Sequence, residues 1–316
     1  QRQMCIRDRF RHRLSGTIEY YNKYSVDLLA AINGSPTQGF GYTTLMTNNG
    51  KMVNRGVEIT LSGEIIRQKD FSWNASLLYA FNRNKVKHIS VQPSLWDSRI
   101  SMPTSYPMVG KPLYGIYAYK WAGLNENGDP QVYDAENNVT SGPARDYHAL
   151  VYCGTTVPIH NASLTNVLRY KGFEFSAMLI LDAGHKLRSS NIPSINMSNG
   201  RITSTAKGIV DRWTQPGDVT DVPRLLFSND TENFNTHRTE LYRYSDLFVY
   251  DASNIRLSNI SLAYRVPAHW CKKISLSGAR LQFNVENVAT FAFDSKANYD
   301  LGGKVKPNYV WGLYLN

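Results

Sequence analysis

The side chains best suited to chemistry here are a few scattered histidines, some carboxylates, three cysteines and one loop that pairs an arginine with a tryptophan. His160, His185 and His237 fall in expected loops, outside any HExxH or comparable metal-ligand spacing, so they give neither a zinc site nor a metal-bound base. No GxSxG elbow exposes a serine nucleophile, and no GxxxxGK loop cradles a phosphate. Glu58 and Glu64 could pair as acid and base. They are better read as polar positions on a wet face, where carboxylates occur without the environments that drive pKa values apart. Cys5, Cys153 and Cys271 form no CxxC pair, and nothing in the sequence supports a Cys153–Cys271 bridge. The expectation is a protein that is not an enzyme, with no catalytic residues, no metal and no cofactor.

Binding is the better prospect. In the segment RWTQPGD, Arg212 and Trp213 are the residue types that dominate binding hot spots, and a tryptophan face stacks on sugar rings. The competing reading is structural and carries more weight. Pro216-Gly217-Asp218 makes a turn, Asp218 caps loop amides, and Trp213 packs beneath. Trp96 and Tyr106, in the 85–112 stretch, are further loop candidates for ligand contact.

The elements that hold these loops are strands. Alternation of period two dominates. Val57, Ile59, Leu61 and Ile65 oppose Glu58, Thr60, Ser62 and Glu64, while Phe71, Trp73, Ala75, Leu77, Tyr79 and Phe81 oppose Ser72, Asn74 and Ser76. Phe173, Phe175, Ala177, Leu179 and Leu181 repeat the pattern, and Tyr309, Trp311, Leu313 and Leu315 close it. Strands are expected near 10–24, 53–66, 70–84, 161–171, 172–184, 254–266, 273–286 and 308–316, with no sustained helix. Their connections alternate: 25–52, 85–160, 185–253 and 287–307 are long, whereas 67–69, Lys171-Gly172 and 267–272 are short. A soluble sandwich has no reason for that rhythm, but an outer-membrane barrel does, with short periplasmic turns and long external loops. Parity then requires zero or two wall strands between 85 and 160. Zero is favoured, because YAYKWAGLNENGDPQVYD reads as an external hairpin turning at Asn127-Gly128. Phe71, Trp73, Tyr170, Phe173 and Trp270 near the short turns, with Tyr20, Tyr79, Phe81, Tyr309 and Trp311 toward the long loops, suit an interfacial aromatic girdle.

The chain has 316 residues, is 42% apolar and carries a formal charge of +10. Its mean hydropathy is negative, which a barrel tolerates because only every second residue meets lipid. The basic residues are scattered beyond residue 13, so nucleic acid is not an expected partner, and the surplus suits a surface against lipid phosphates. Residues 1–9 fit nothing that follows and read as a non-native leader.

Several segments, taken in order, resemble the SusC/RagA-type TonB-dependent transporters of the outer membrane. GTIEYYNKYSVDLL is similar to a family strand with paired tyrosines. NNGKMVNRGVEITL carries the family's Asn-x-Gly-x-x-x-Asn-x-Gly-x-Glu pattern at Asn48, Gly50, Asn54, Gly56 and Glu58. DFSWNASLLYAFNRNKV, VGKPLYGIYAYKWAGLNENGDPQVYD, ASLTNVLRYKGFEFSAMLILDAGHKLR, RWTQPGDVTDVPRL, YDASNIRLSNISLAYRVP and LQFNVENVATF follow in the family's order. The resemblance implies an all-β fold, with residues 10–316 as the C-terminal portion of a 22-stranded antiparallel transmembrane barrel in the bacterial outer membrane, comprising about eight strands. It implies a plug domain and early strands elsewhere, a final aromatic just beyond Asn316, and import of an oligosaccharide or peptide energised through TonB. A SusD-like lipoprotein is the implied lid, and Trp96, Tyr106, Arg212 and Trp213 are then the residues proposed to touch cargo or lid. The alternative is a soluble β-rich carbohydrate-binding or adhesion module. Passive porin activity is a further option.

Overall fold

The computed structural model describes residues 2–9, 13–33, 44–89, 98–142, 146–197, 206–227, 236–273, 275–301 and 306–315. One antiparallel sheet dominates. Its strands are β1 (Arg2–Arg9), β2 (Leu14–Asn33), β3 (Thr44–Arg67), β4 (Phe71–His88), β5 (His160–Tyr170), β6 (Phe173–Ala183), β7 (Asn254–Arg265), β8 (Ala279–Ala292) and β9 (Asn308–Leu315). They lie side by side in sequence order, and β1 and β9 are the two open edges. All eight strands expected from alternation are present, and residues 2–9 add an edge strand against β2. β5 and β6 have 11 residues each, the length a tilted strand needs to cross a bilayer. Among the described residues no strand between 89 and 159 joins this sheet, so the wall keeps its expected parity.

Register turns the sequence alternation into two faces, because residues directly opposite on neighbouring strands share a side. Leu61, Leu77, Leu164, Leu179 and Leu257 form one continuous cross-strand row. A second row runs Phe71, Tyr170, Phe173 and Tyr264 beside the short turns, with the Phe173 and Tyr264 rings 4.5 Å apart. The opposite face carries Ser62, Ser76, Thr165, Met178 and Asn259 in one row. Polar groups there pair across strands: Ser62 Oγ lies 2.8 Å from Ser76 Oγ, and Asn161 donates to Asp182 at 2.6 Å. Glu174 accepts from Arg169 at 2.7 Å and from Arg280 at 3.0 Å. Arg280 reaches it past the small side chain of Ala263, which lies opposite Glu174. This face also keeps scattered apolar side chains such as Leu78 and Ile180, so it is mixed rather than uniformly polar.

Gly56 explains one position of the motif. It lies opposite Tyr21, whose ring covers it on the polar face, and a Cβ there would collide with that ring and with the Phe81 carbonyl. A glycine is the one residue that leaves room for the tyrosine.

Four local expectations are corrected. Ile65 does not continue the Val57–Leu61 face: a bulge between Glu64 and Ile66 makes Ile66 the partner of Trp73, and Ile65 is exposed. Most of 25–52 is a ribbon rather than a loop, since β2 and β3 stay paired out to Asn33 and Thr44. Asp27 sits at φ 54 at a register shift in that ribbon. The expected turn 267–272 contains a short helix, Ala268–Lys272, which buries Cys271 and delays the start of β8 to Ala279. A second helix, Thr236–Arg243, interrupts a stretch expected to be loop.

Candidate functional site

Above the wall, the long connections fold onto one another. Gly115–Tyr119 pairs with Leu150–Thr155, so Tyr117 and Tyr119 belong to that ladder. The expected hairpin forms just after it: Trp121–Leu124 pairs with Pro130–Tyr133, and Gly128 takes a φ of 74 in its turn. Asn125 fixes that turn through its Oδ1, which accepts from the amides of Asn127 at 3.0 Å and Asp129 at 2.8 Å. From the next connection, Lys186–Arg188 pairs with Val249–Asp251, and the helix Thr236–Arg243 packs its Leu241 against Tyr117, Tyr119, Val132 and Leu150. Tyr242 turns instead toward Ile195 and Phe248, and Trp121 touches both clusters. This small apolar core makes the loops one body.

Buried cations lock the body together. Asp129 accepts from Arg224 at 3.1 and 2.8 Å and from Arg238 at 3.2 Å. Arg238 is 2% exposed and spends its other donors on the carbonyls of Ile195 (3.1 Å) and Arg224 (2.7 Å) and on Asn196 Oδ1 (2.8 Å). Burial pulls its pKa below the usual guanidinium range, and the Asp129 charge opposes that shift. Arg188 plays the same part nearer the wall, donating to the carbonyls of Tyr117 (2.6 Å), Ser245 (3.2 Å) and Arg243 (3.3 Å). Asp300 ties in the last connection by accepting from Ser189 Oγ at 2.8 Å and from the Ser190 amide at 3.0 Å. A cleft of about 440 Å³ opens between Ser190–Ser194 and the helix, lined by Arg188, Thr239, Tyr242 and Tyr244.

The four residues named from the sequence do not converge. Trp96 lies outside the described residues. Tyr106 is buried at 8% exposure, and its carbonyl accepts from Arg99 at 3.3 Å. Arg212 is exposed and reaches back to the Ile209 carbonyl at 3.4 Å. Trp213 donates its amide to Val222 at 2.8 Å and lays its ring where a Cβ on Gly128 would sit. Asp218 accepts from the Thr214 amide and hydroxyl, both at 2.8 Å, and from the Gln215 amide at 3.1 Å. The Thr214 bonds first, then Gln215, hold its carboxyl below the usual range. The Asp129–Arg224–Arg238 centre escaped sequence reading. Its one local signal is the Asn-Gly-Asp turn, which fixes Asp129 but says nothing about its partners.

Among the described residues no group of three or more His, Cys, Asp or Glu could hold a metal ion. Cys153 and Cys271 are free thiols, and burial pushes the Cys153 thiol up to about 11, away from the thiolate a nucleophile needs.

No protein-family model matches the chain. It is similar to TonB-dependent receptor P3 of Formosa agariphila, 25% identical over 326 residues, covering 96% of this chain and 31% of that protein. It is also similar to TonB-dependent receptor SusC of Bacteroides thetaiotaomicron, 23% identical over 87% of this chain and 26% of that protein. Among solved structures, the RagAB peptide transporter superposes with a TM-score of 0.71 at 22% identity, covering 97% of this chain and 34% of that one. The chain thus spans about a third of the length of the proteins it matches.

The fold is the wall of an outer-membrane β-barrel, which puts the chain in the outer membrane. Within that class its similarity is to TonB-dependent transporters of the SusC type, over nearly its whole length.

Proposed function

We propose that residues 10–316 form the C-terminal wall and external cap of a transporter that imports a large nutrient, an oligosaccharide or a peptide, across the outer membrane. TonB supplies the energy through a segment outside this chain, and a SusD-like surface lipoprotein closes over the cap. The cleft beside Tyr242 and Tyr244, together with Arg212 and Trp213 at the cap's surface, contacts cargo or lid. One observation carries the reading: five successive strands, β3 to β7, keep an apolar row and a polar row in register, while the long connections between wall strands leave from the same end. Only a wall between lipid and a wet lumen requires both at once.

Import is tested by deleting the gene and measuring uptake of labelled oligosaccharide and peptide mixtures, with and without a protonophore. Uptake of one class that is lost in the deletion strain and abolished by the protonophore is the expected result. Unchanged uptake of both would remove the proposal. Orientation has its own test. A cysteine at Asn127 should react with an impermeant thiol label on intact cells, and one at Gln68 should react only after the outer membrane is permeabilised. Labelling of Gln68 on intact cells would invert the topology. Asn229, another external position on the sequence reading, lies outside the described residues.

A further inference from the structure

Above the aromatic girdle, the apolar face of β3 and β4 becomes basic. On β4 that face runs Phe71, Trp73, Ala75, Leu77, Tyr79 and Phe81, then Arg83 and Lys85. The ten residue steps of tilted strand from Phe71 to Phe81 rise about 25 Å, the height of the apolar band of an outer-membrane barrel. Arg83 and Lys85 therefore stand just outside the hydrocarbon, at head-group height. On β3 the same face runs Leu61, Ile59, Val57 and then Arg55, which lies directly opposite Arg83. Like charges placed opposite each other across a strand pair repel, so the pairing is unexplained within the sheet. Arg55, Arg83, Lys85 and Lys87 are all exposed. Arg55 donates to Asn22 Oδ1 at 3.0 Å, and no ion pair with an acid is formed by any of the four among the described residues.

The cap adds a further cation and a concave shape. Gly110 donates to the Val86 carbonyl, and Val86 donates back to the Lys111 carbonyl at 2.9 Å, which stitches this segment to the edge of β4. Lys111 Nζ stands 4.8 Å from the centre of the Tyr152 ring. The resulting cleft of about 600 Å³ is lined by Arg55, Phe81, Arg83, Lys85, Lys87 and Lys111. It joins a cationic rim to the lipid-facing surface below.

We propose that this cleft binds phosphate-bearing head groups of outer-leaflet lipid, with the acyl chains lying on the apolar face beneath. The inference rests on reading that face as lipid-facing. Its occupant follows from charge complementarity and from continuity with the apolar band: guanidinium forks match phosphate oxygens in pairs, and lysine stems can lie along the apolar wall with their charge at the interface.

The test uses the full-length protein carrying this chain, extracted from outer membranes, stripped of lipid in detergent and examined by native mass spectrometry. The probes are lipid A with its phosphates and the same lipid A after phosphatase treatment. Wild type should retain the phosphorylated form about tenfold more strongly, the scale of one or two charge-assisted hydrogen bonds. Arg55→Glu/Arg83→Glu should abolish that preference, and Arg83→Lys should keep most of it. Equal retention of both lipids by wild type, or an unchanged preference in the double variant, would overturn the proposal. Displacement of the lipid by equimolar inorganic phosphate would overturn it in favour of a free-anion site. A double variant that still enters the outer membrane separates loss of the head-group site from loss of the wall itself. If wild type fractionates away from the outer membrane, the lipid-facing reading falls and this proposal with it.

Discussion

Arginine in place of Leu77 is expected to cost the assembled barrel about 2–4 kcal/mol, the penalty for a cation on the lipid face near the bilayer midplane. Leu77 sits in the row of leucines that crosses β3 to β7, flanked by Leu61 and Leu164. A guanidinium there must lose its water or drag water into the hydrocarbon. Leu61→Arg should behave the same way. Ser76→Arg and Thr60→Arg point to the polar face, where Ser76 faces Ser62 and Thr60 lies opposite Leu78. A long cation can extend into lumen water from those positions, so these variants should lose far less. The measurement is urea unfolding of the full-length protein in vesicles, followed by heat-modifiability on a gel. Equal losses in the two pairs would show that the assigned faces are wrong.

The same physics explains what could be read from the sequence. Where one face meets lipid and the other meets water, every second residue is constrained, so strand, face and partner rhythm are written locally. That is why the eight strands were legible. The bulge at Ile65 was not, because Ile65 and Ile66 are both apolar and a one-residue slip between them leaves the composition unchanged. The ribbon beyond Tyr24 was missed for a different reason. Above the membrane neither face is forced to be apolar, so alternation fades although the backbone pairing continues to Asn33 and Thr44. The basic cleft was half visible, since Arg55, Arg83 and Lys85 follow the period, yet only register sets Arg55 against Arg83. The cap was least legible. Asp129 finds Arg224 and Arg238 across 95 and 109 residues, and no local pattern encodes a contact of that range. For the same reason Arg212, Trp213 and Tyr106 were singled out by residue type, whereas the structure buries Tyr106 and sets Trp213 against Gly128.

The second large effect is expected at Asp129. Removing its carboxylate with Asp129→Ala leaves Arg238 almost fully buried and facing Arg224 with no counter-charge. Breaking a buried pair in this way typically costs about 3–5 kcal/mol, because the remaining cation keeps its desolvation penalty. The hairpin itself should survive, since Asn125 and Asp129 also pair through their backbones at 2.9 Å. What should fail is the docking of the hairpin against the segments around Arg224 and the helix Thr236–Arg243. Hydrogen exchange should therefore rise at Leu226, whose amide donates to the Ile195 carbonyl, and at Arg224, whose amide donates to Gly128. Amides of β5 and β6 should be unchanged, because none of these partners lies in the wall. Asp129→Asn keeps an acceptor without the charge and should fall between wild type and alanine. Adding Arg238→Met to Asp129→Ala removes the stranded cation and should restore much of the protection. If the alanine variant exchanges like wild type, the centre is not what holds the cap together, and the apolar cluster around Tyr117 and Leu241 suffices alone.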